Sequence, residues 1–218
     1  MDSKKLNNEV YWETWEVSKN DRRKIKGHSS LVIWLTGLPS SGKTTIAREL
    51  EKRLHGTGRH TYILDGDNMR HGLNKDLGFS KEDRKENIRR IAEVSKLFVD
   101  AGLIVICAFV SPFREDREAT RTLVDHSEFI EVFVNCPLDV CMQRDPKALY
   151  KKAIAGQIKA FTGVNDPYEE PVAPEIVVDT HVLTLQECVD KIIKHLRDKE
   201  LIGEMNCSED NAVNFQGS

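Results

Sequence analysis

The chain contains 218 residues, of which 39% are hydrophobic and 31% are charged, and it carries a formal net charge of −3. This composition is typical of a globular protein and excludes a disordered chain, and the slight negative charge gives no reason to expect a nucleic-acid partner. Five irregularly spaced cysteines exclude a disulfide scaffold and indicate reduced thiols. The longest apolar run, residues 103–110, is too short to cross a membrane, so we expect a cytoplasmic protein without a membrane partner.

The chain divides into three parts by composition: a polar arm over residues 1–30, a folded domain over residues 31–200, and a polar tail over residues 201–218. The arm carries a basic group, which is more often a solvated face than a binding site and consists of Arg22, Arg23, Lys24 and Lys26. We expect ordered structure to begin at Leu31 and the chain to fray over residues 203–218.

Five short apolar runs alternate with helical segments. The first, Leu31–Thr36, is almost continuously apolar, as expected for a strand buried on both faces of a parallel sheet. The other predicted strands cover residues 61–64, 103–110, 129–134 and 176–178, and the predicted helices cover residues 43–55, 80–102, a segment led by Pro112, a segment begun by Pro137, and 184–197. This alternation predicts a three-layer α/β sandwich, a mostly parallel sheet with helices on both faces, which binds ligands at the carboxyl ends of its strands. Polar residues 144–174, broken by glycine and proline, indicate a mobile lid.

A glycine-rich segment between the first strand and its helix matches the Walker A pattern without a mismatch. Its backbone N–H groups and the helix N-terminus suit the phosphates of a nucleoside triphosphate. Lys43 is expected to reach the β and γ phosphates, and the Thr44 hydroxyl to ligate Mg²⁺. The pattern predicts a P-loop NTPase-type fold that binds a nucleoside triphosphate with Mg²⁺, but a GTPase switch, an ATP-driven motor and a small-molecule kinase all share it. The predicted nucleotide site is made of Gly37, Leu38, Pro39, Ser40, Ser41, Gly42, Lys43, Thr44 and Thr45.

Two aspartates, Asp65 and Asp67, end the second predicted strand. On an extended segment, side chains at positions i and i+2 point to the same side. One carboxylate could therefore hold Mg²⁺ while the other accepts a proton from an attacking hydroxyl. The alternative is a pair of turn aspartates that only stabilise the loop. The third strand ends in Ser111 where a Walker B aspartate is usual, and the aspartate pair could take its place. We therefore name Lys43, Asp65 and Asp67 as catalytic candidates, and Thr44 and Asp65 as metal ligands.

An anionic acceptor would need cations at the same end of the sheet. Arg70 follows the aspartates, and Arg84 and Asn87 are three residues apart on the next predicted helix, where they share a face. A long cationic side chain by itself is more often a solvated surface residue, so both interpretations stay open for these positions.

Beyond the phosphate loop, the chain contains five long distinctive segments: Asp65–Ser80, Glu86–Glu93, Ala108–Arg114, Gln143–Lys152 and Phe161–Pro171. In sequence and in order, over about Glu9 to Leu196, they resemble the adenosine 5′-phosphosulfate (APS) kinase family. The resemblance implies transfer of the ATP γ-phosphoryl group to the 3′-hydroxyl of APS, and a homodimer by analogy. Pro39, Ser40 and Ala160 depart from residues common in the family, and Pro39 removes one phosphate-facing N–H.

The resemblance also implies roles for individual residues. Phe79 and Phe161 would sandwich the APS adenine, although both could equally be core residues. Arg144 would be the first residue of the lid, which is expected to close over ATP, and would bind on the nucleotide side. The full set of APS-binding positions implied is Asp67, Arg70, Phe79, Arg84, Asn87, Val110, Ser111, Lys147 and Phe161. The resemblance adds Ser111 to the catalytic candidates, because it matches a serine described in the family as a phosphorylated intermediate, but we expect Ser111 to position substrate instead. The alternatives are a kinase for another adenylate and a nucleotide-gated binding module without transfer activity.

Overall fold

The computed structural model describes residue 11 and residues 13–203. Its centre is a five-stranded parallel sheet, which confirms the predicted α/β sandwich. The strands are β1 (Leu31–Thr36), β2 (Thr61–Asp65), β3 (Ile104–Ala108), β4 (Phe129–Asn135) and β5 (Ile176–Asp179), in the spatial order β2-β3-β1-β4-β5. β1 therefore lies in the middle, and the loop after it emerges at the centre of the carboxyl edge.

Eight α-helices accompany the sheet in the described part of the chain: α1 (Lys19–Lys26), α2 (Lys43–Gly56), α3 (Gly66–His71), α4 (Lys81–Asp100), α5 (Arg114–Arg121), α6 (Leu138–Arg144), α7 (Leu149–Ile154) and α8 (Leu185–Asp198). The prediction gave α2, α4, α5, α6 and α8 to within a few residues. It missed α1, α3 and α7. None of the helices in the described residues is long and apolar enough to cross a membrane.

The alternation of β1 side chains between two cores explains its continuous apolar sequence. Leu31, Ile33 and Leu35 belong to the apolar core that includes residues of α2 and α8. Val32 and Trp34 belong to the core on the other face, which includes residues of α4. All six β1 residues are buried, as expected for a central strand covered on both sides. The four cysteines within the described residues are buried and free, which agrees with reduced thiols.

The prediction that ordered structure begins at Leu31 is wrong, because α1 lies inside the predicted polar arm. Ser18 and Asp21 form a capping box at its start, and Gly27 ends it in the left-handed conformation with φ of 67°. No α1 residue is buried, so the helix lacks the apolar stripe that would have predicted it.

The basic residues of α1 attach the helix to the rest of the protein. Lys19 and Arg23 both pair with Glu128, and Arg22 Nη1 lies 2.8 Å from a carboxylate oxygen of Asp100. At the other end, Ile202 is buried, so the domain reaches slightly beyond residue 200. The predicted fraying beyond Gly203 falls outside the described residues.

Candidate active site

The backbone of the phosphate-binding loop takes unusual conformations at two glycines and one serine. A Cβ atom at Gly37 would lie 2.5 Å from the Val134 carbonyl oxygen, so this position accepts only glycine. Gly42, at the N-terminus of α2, has φ of 104°, and Ser40 is also left-handed with φ of 62°. Ser41 Oγ is a buried polar atom without a hydrogen-bond partner among the described residues. A buried, unpaired hydroxyl inside such a loop fits a phosphate-binding cradle.

Lys43 lies along this loop rather than in solvent. Its Nζ donates hydrogen bonds to the carbonyl oxygens of Gly37, at 2.9 Å, and Leu38, at 2.7 Å. Burial lowers the pKa of Lys43 to about 8, against the opposing effect of Cys141 and of the carboxylates of Asp65 and Asp67. The ammonium is thus held in an environment that penalises its charge, which phosphate oxygens would compensate.

Thr44 and Asp65, the two predicted metal ligands, lie in direct contact: Thr44 Oγ1 donates to Asp65 Oδ2 at 2.8 Å. One carboxylate and one hydroxyl beside a phosphate cradle fit Mg²⁺, which usually takes one or two carboxylates together with phosphates and water. Within the described ranges, the structure contains no cluster of three or more His, Cys, Asp or Glu side chains that could hold a metal.

The prediction that Asp65 and Asp67 share an extended segment is wrong. Helix α3 begins at Gly66, and Asp65 caps it by accepting a hydrogen bond from the backbone N–H of Asp67. Asp65 is buried and faces Thr44, whereas the side chain of Asp67 is 65% exposed and pairs with Lys147 of the predicted lid. Asp65 thus performs the loop-stabilising role of the alternative interpretation as well as contacting Thr44, and the two carboxylates have separate surroundings.

Ser111 is buried in a strained turn after β3, with φ of 39°. Its hydroxyl accepts a hydrogen bond from Trp34 Nε1 at 3.1 Å and donates to Thr36 Oγ1 at 2.9 Å. Thr36 Oγ1 also donates to the carbonyl oxygen of Val110 at 2.8 Å. An indole N–H and a hydroxyl are not bases that could activate a serine nucleophile. The surroundings of Ser111 therefore favour a positioning role.

Arg84 links the loop before α4 to the predicted lid. Its guanidinium donates to the carbonyl oxygen of Phe79 at 3.0 Å, to that of Ala160 at 2.6 Å and to Thr162 Oγ1 at 2.7 Å. One side chain thus connects Phe79 with the two residues that flank Phe161, the other member of the predicted aromatic pair. This arrangement brings the two predicted acceptor segments together.

The remaining predicted acceptor residues lie around the same helix end. The Arg70 guanidinium stacks on the Phe79 ring, 4.3 Å from its centroid, and donates to two carbonyl groups of the loop before it. Asn87 is buried, and its side-chain carbonyl accepts a hydrogen bond from Asn74 at 3.0 Å. Asn74 was not predicted, although a polar residue inside the quoted family segment was a usable signal.

The predicted lid contains helix α7 and reaches both halves of the site. Tyr150 donates from its hydroxyl to the Pro39 carbonyl oxygen at 3.0 Å, which joins the lid to the phosphate loop. At its start, Arg144 Nη1 lies 3.5 Å from the Ser41 carbonyl oxygen, and Arg144 also binds the Thr180 hydroxyl and carbonyl. Arg144 therefore lies beside the nucleotide half, and Lys147 beside the acceptor half. The mobility of this segment stays a prediction.

A central P-loop, a lid and an acceptor-side carboxylate at one edge of a parallel sheet define the class of P-loop kinases. A sequence model of the family described as adenylylsulphate kinase matches residues 29–179. A probable adenylyl-sulfate kinase of Halalkalibacterium halodurans is 56% identical over 191 residues, covering 88% of this chain and 95% of the relative. An adenylyl-sulfate kinase of Geotalea daltonii is 55% identical over 202 residues, covering 93% and 98%. The chain belongs to the adenylylsulfate kinase family, which confirms the resemblance found in the sequence.

Solved structures agree with this assignment. An APS kinase of Mycobacterium tuberculosis in complex with AMPPNP and APS is 41% identical with a TM-score of 0.74, covering 78% of this chain and 99% of that one. A hexameric APS kinase from Thiobacillus denitrificans is 30% identical with a TM-score of 0.62, covering 84% of this chain and 31% of that longer one. A gluconokinase of Sinorhizobium meliloti, at 15% identity and a TM-score of 0.53, shares the fold alone.

Proposed function

We propose that the protein transfers the γ-phosphoryl group of ATP to the 3′-hydroxyl of APS and releases ADP and 3′-phospho-APS. The observation that carries this proposal is the contact between Thr44 and Asp65, because it joins the phosphate loop to the segment that begins the acceptor half. The relatives named adenylyl-sulfate kinase, and the related structure with AMPPNP and APS bound, support the choice of donor and acceptor.

The transfer is a single in-line displacement. The acceptor 3′-oxygen forms a bond to the γ-phosphorus while the bond from that phosphorus to the β–γ bridging oxygen breaks, and Asp67 accepts the hydroxyl proton. Lys43 exchanges its two loop carbonyl groups for phosphate oxygens and stabilises their negative charge. Thr44 and Asp65 would hold Mg²⁺, which neutralises phosphate charge when bound.

The acceptor is bound by the side chains around α3, α4 and the lid. Phe79 and Phe161 would stack on the adenine, and the cations and Asn87 would bind the polar groups of APS. Val110 and Ser111 would form the wall of the pocket beneath the acceptor. The proposed acceptor residues are Asp67, Arg70, Phe79, Arg84, Asn87, Val110, Ser111, Lys147 and Phe161, and Arg144 would bind on the ATP side.

An acceptor panel tests the proposal. ADP release should depend on APS, the product should have the mass of 3′-phospho-APS, and AMP and adenosine should support little turnover. A Lys43→Ala variant controls for contaminating kinases. Preference for AMP or adenosine would favour a kinase for another adenylate, and ATP binding without acceptor-dependent ADP release would favour a binding module.

A cytoplasmic homodimer remains part of the proposal. One related enzyme is hexameric, so the assembly state of this chain needs its own measurement. Light scattering coupled to size exclusion should give twice the 24.8 kDa chain mass. A monomer or a hexamer would contradict the proposed dimer without affecting the proposed reaction.

A further inference from the structure

Two segments from distant parts of the chain meet above α5. We call residues 110–113 the acceptor turn and residues 168–170 the lid anchor. The backbone N–H of Glu169 donates to the Pro112 carbonyl oxygen at 2.8 Å. Arg114 donates from its backbone N–H to the Glu169 carboxylate at 2.9 Å and from Nε to the Glu170 carbonyl oxygen at 2.7 Å. The end of the predicted lid is therefore attached to the turn that carries Ser111.

Arg117 lies between these two segments and is 2% exposed. Its guanidinium donates to the Ser111 carbonyl oxygen at 2.7 Å and to the Glu169 carbonyl oxygen at 2.7 Å. Its third contact is Glu131 on β4, at 2.8 Å, which supplies the opposite charge. A guanidinium holds its donors in one rigid plane, so these three acceptors are fixed relative to one another.

We propose that Arg117 is a positioning residue for the acceptor. Its guanidinium, which we call the fork, binds the acceptor turn and the lid anchor together, so that the placement of the lid and the placement of Ser111 depend on each other. The inference rests on the proposed function only in naming APS as the acceptor. Arg117 itself would touch neither substrate.

The backbone strain at Ser111 explains why such a device is needed. A non-glycine residue with φ of 39° persists only where its surroundings fix it from several sides. Trp34 and Thr36 hold the Ser111 hydroxyl, and Arg117 holds its carbonyl group. Thr36 Oγ1 also lies 3.0 Å from the Tyr168 hydroxyl, a second connection between the turn and the anchor.

Arg121 provides a matched control. It lies one helical turn further along α5 and also contacts Glu131, at 3.4 Å, besides a 2.7 Å pair with Glu175. Its hydrogen bonds among the described residues go to these two carboxylates, whereas those of Arg117 also reach the backbone of the turn and the anchor. Loss of Arg121 disturbs the same ion-pair network without removing the fork.

Three variants test the inference. Arg117→Lys keeps a positive charge near Glu131 but cannot bind three acceptors in one plane. The double variant Arg117→Met with Glu131→Gln removes the fork without leaving a buried unpaired carboxylate, which limits the loss of stability. Arg121→Met is the control. For each, we would measure kcat, the KM values for APS and ATP, the urea midpoint, and hydrogen exchange of the Glu169 amide.

Both Arg117 variants should raise the KM for APS by roughly tenfold or more and lower kcat, because hydrogen bonds from a charged donor are lost. The KM for ATP should stay unchanged, and the Glu169 amide should exchange faster. Arg121→Met should lose stability while keeping the KM for APS and the slow Glu169 exchange.

An equal rise in the KM for APS in Arg121→Met would overturn the inference, and so would a folded double variant with wild-type kinetics. Unfolding of both Arg117 variants would also reject it, since the role would then be structural alone. If the wild-type protein phosphorylates another acceptor, the proposed function fails, and the same comparison with that acceptor still decides the role of Arg117.

Discussion

Phe79 and Phe161 have the same implied role but very different surroundings. Phe79 is 62% exposed just before α4, with the Arg70 guanidinium over its ring. Phe161 is 8% exposed and packs edge-to-face on Tyr150, with 4.9 Å between ring centroids, in the apolar cluster of the lid. Replacing each by alanine should therefore separate a binding effect from a folding effect.

The burial of each phenylalanine ring determines how much its replacement by alanine should cost. Removing a buried phenylalanine ring costs about 3–5 kcal/mol of unfolding free energy, so Phe161→Ala should be strongly destabilising. Phe79→Ala removes an exposed ring and one exposed cation–π contact, which costs about 0.5–1 kcal/mol. If Phe79 stacks on the adenine, its loss should instead weaken APS binding by about 1–3 kcal/mol, or roughly 5- to 150-fold in Kd.

Urea unfolding and calorimetric titration with APS measure the two effects separately, and titration with an ATP analogue controls for damage to the nucleotide half. Phe79→Leu is the matched variant, because it keeps apolar volume but has no ring face. It should bind APS nearly as weakly as Phe79→Ala. The reasoning fails for Phe79 if Phe79→Ala binds APS normally, and it fails for Phe161 if Phe161→Ala retains wild-type stability.

Three further predictions concern the transfer step. The pKa of Lys43 is about 8 in the free protein and should rise when phosphates replace its carbonyl partners. In the range from about pH 8 to the ordinary lysine pKa of 10.5, an ATP analogue should therefore bind with proton uptake. Calorimetry in buffers of different ionisation enthalpy should detect this uptake, and Lys43→Met should lack it. Asp67→Asn should fold normally, because the side chain is exposed, yet lose nearly all transfer at saturating APS; wild-type turnover would remove its role as base. Ser111→Ala should keep substantial activity with a raised KM for APS, and chiral γ-phosphate should emerge inverted, whereas net retention would indicate a phosphoserine intermediate.

The sequence was most informative where one local pattern determines both structure and site. The continuous apolar run of β1 predicted a central buried strand, since both of its faces are covered. Gly37 and Gly42 occupy the positions where a close carbonyl group or a positive φ demands glycine. Because Lys43 and Thr44 follow Gly42 directly in the first turn of α2, the pattern also placed these two residues at the site.

Prediction failed where distant contacts or capping decide the conformation. Asp65 ends β2 and also caps α3, because its carboxylate accepts a hydrogen bond from the Asp67 N–H, so the chain enters a helix where an extended segment was predicted. Helix α1 has local signals in Ser18 and Gly27, but its docking depends on Glu128, about a hundred residues away. Arg117 was not predicted either, because its role appears only once Ser111 and Glu169 lie beside it.

The charged groups assigned to the ligands already have protein partners in this structure. Lys43 binds loop carbonyl groups, Arg84 binds the lid backbone, and Lys147 pairs with Asp67. Ligand binding is therefore an exchange of hydrogen bonds, and a typical net gain is about 0.5–1.5 kcal/mol rather than the full strength of each bond. The pair between Lys147 and Asp67 is the easiest to exchange, because both side chains are more than half exposed and such pairs contribute about 0–1 kcal/mol. Lys147 contacts Oδ2 of Asp67, so in the proposed reaction the other carboxylate oxygen can accept the hydroxyl proton while the pair keeps this part of the lid beside the acceptor.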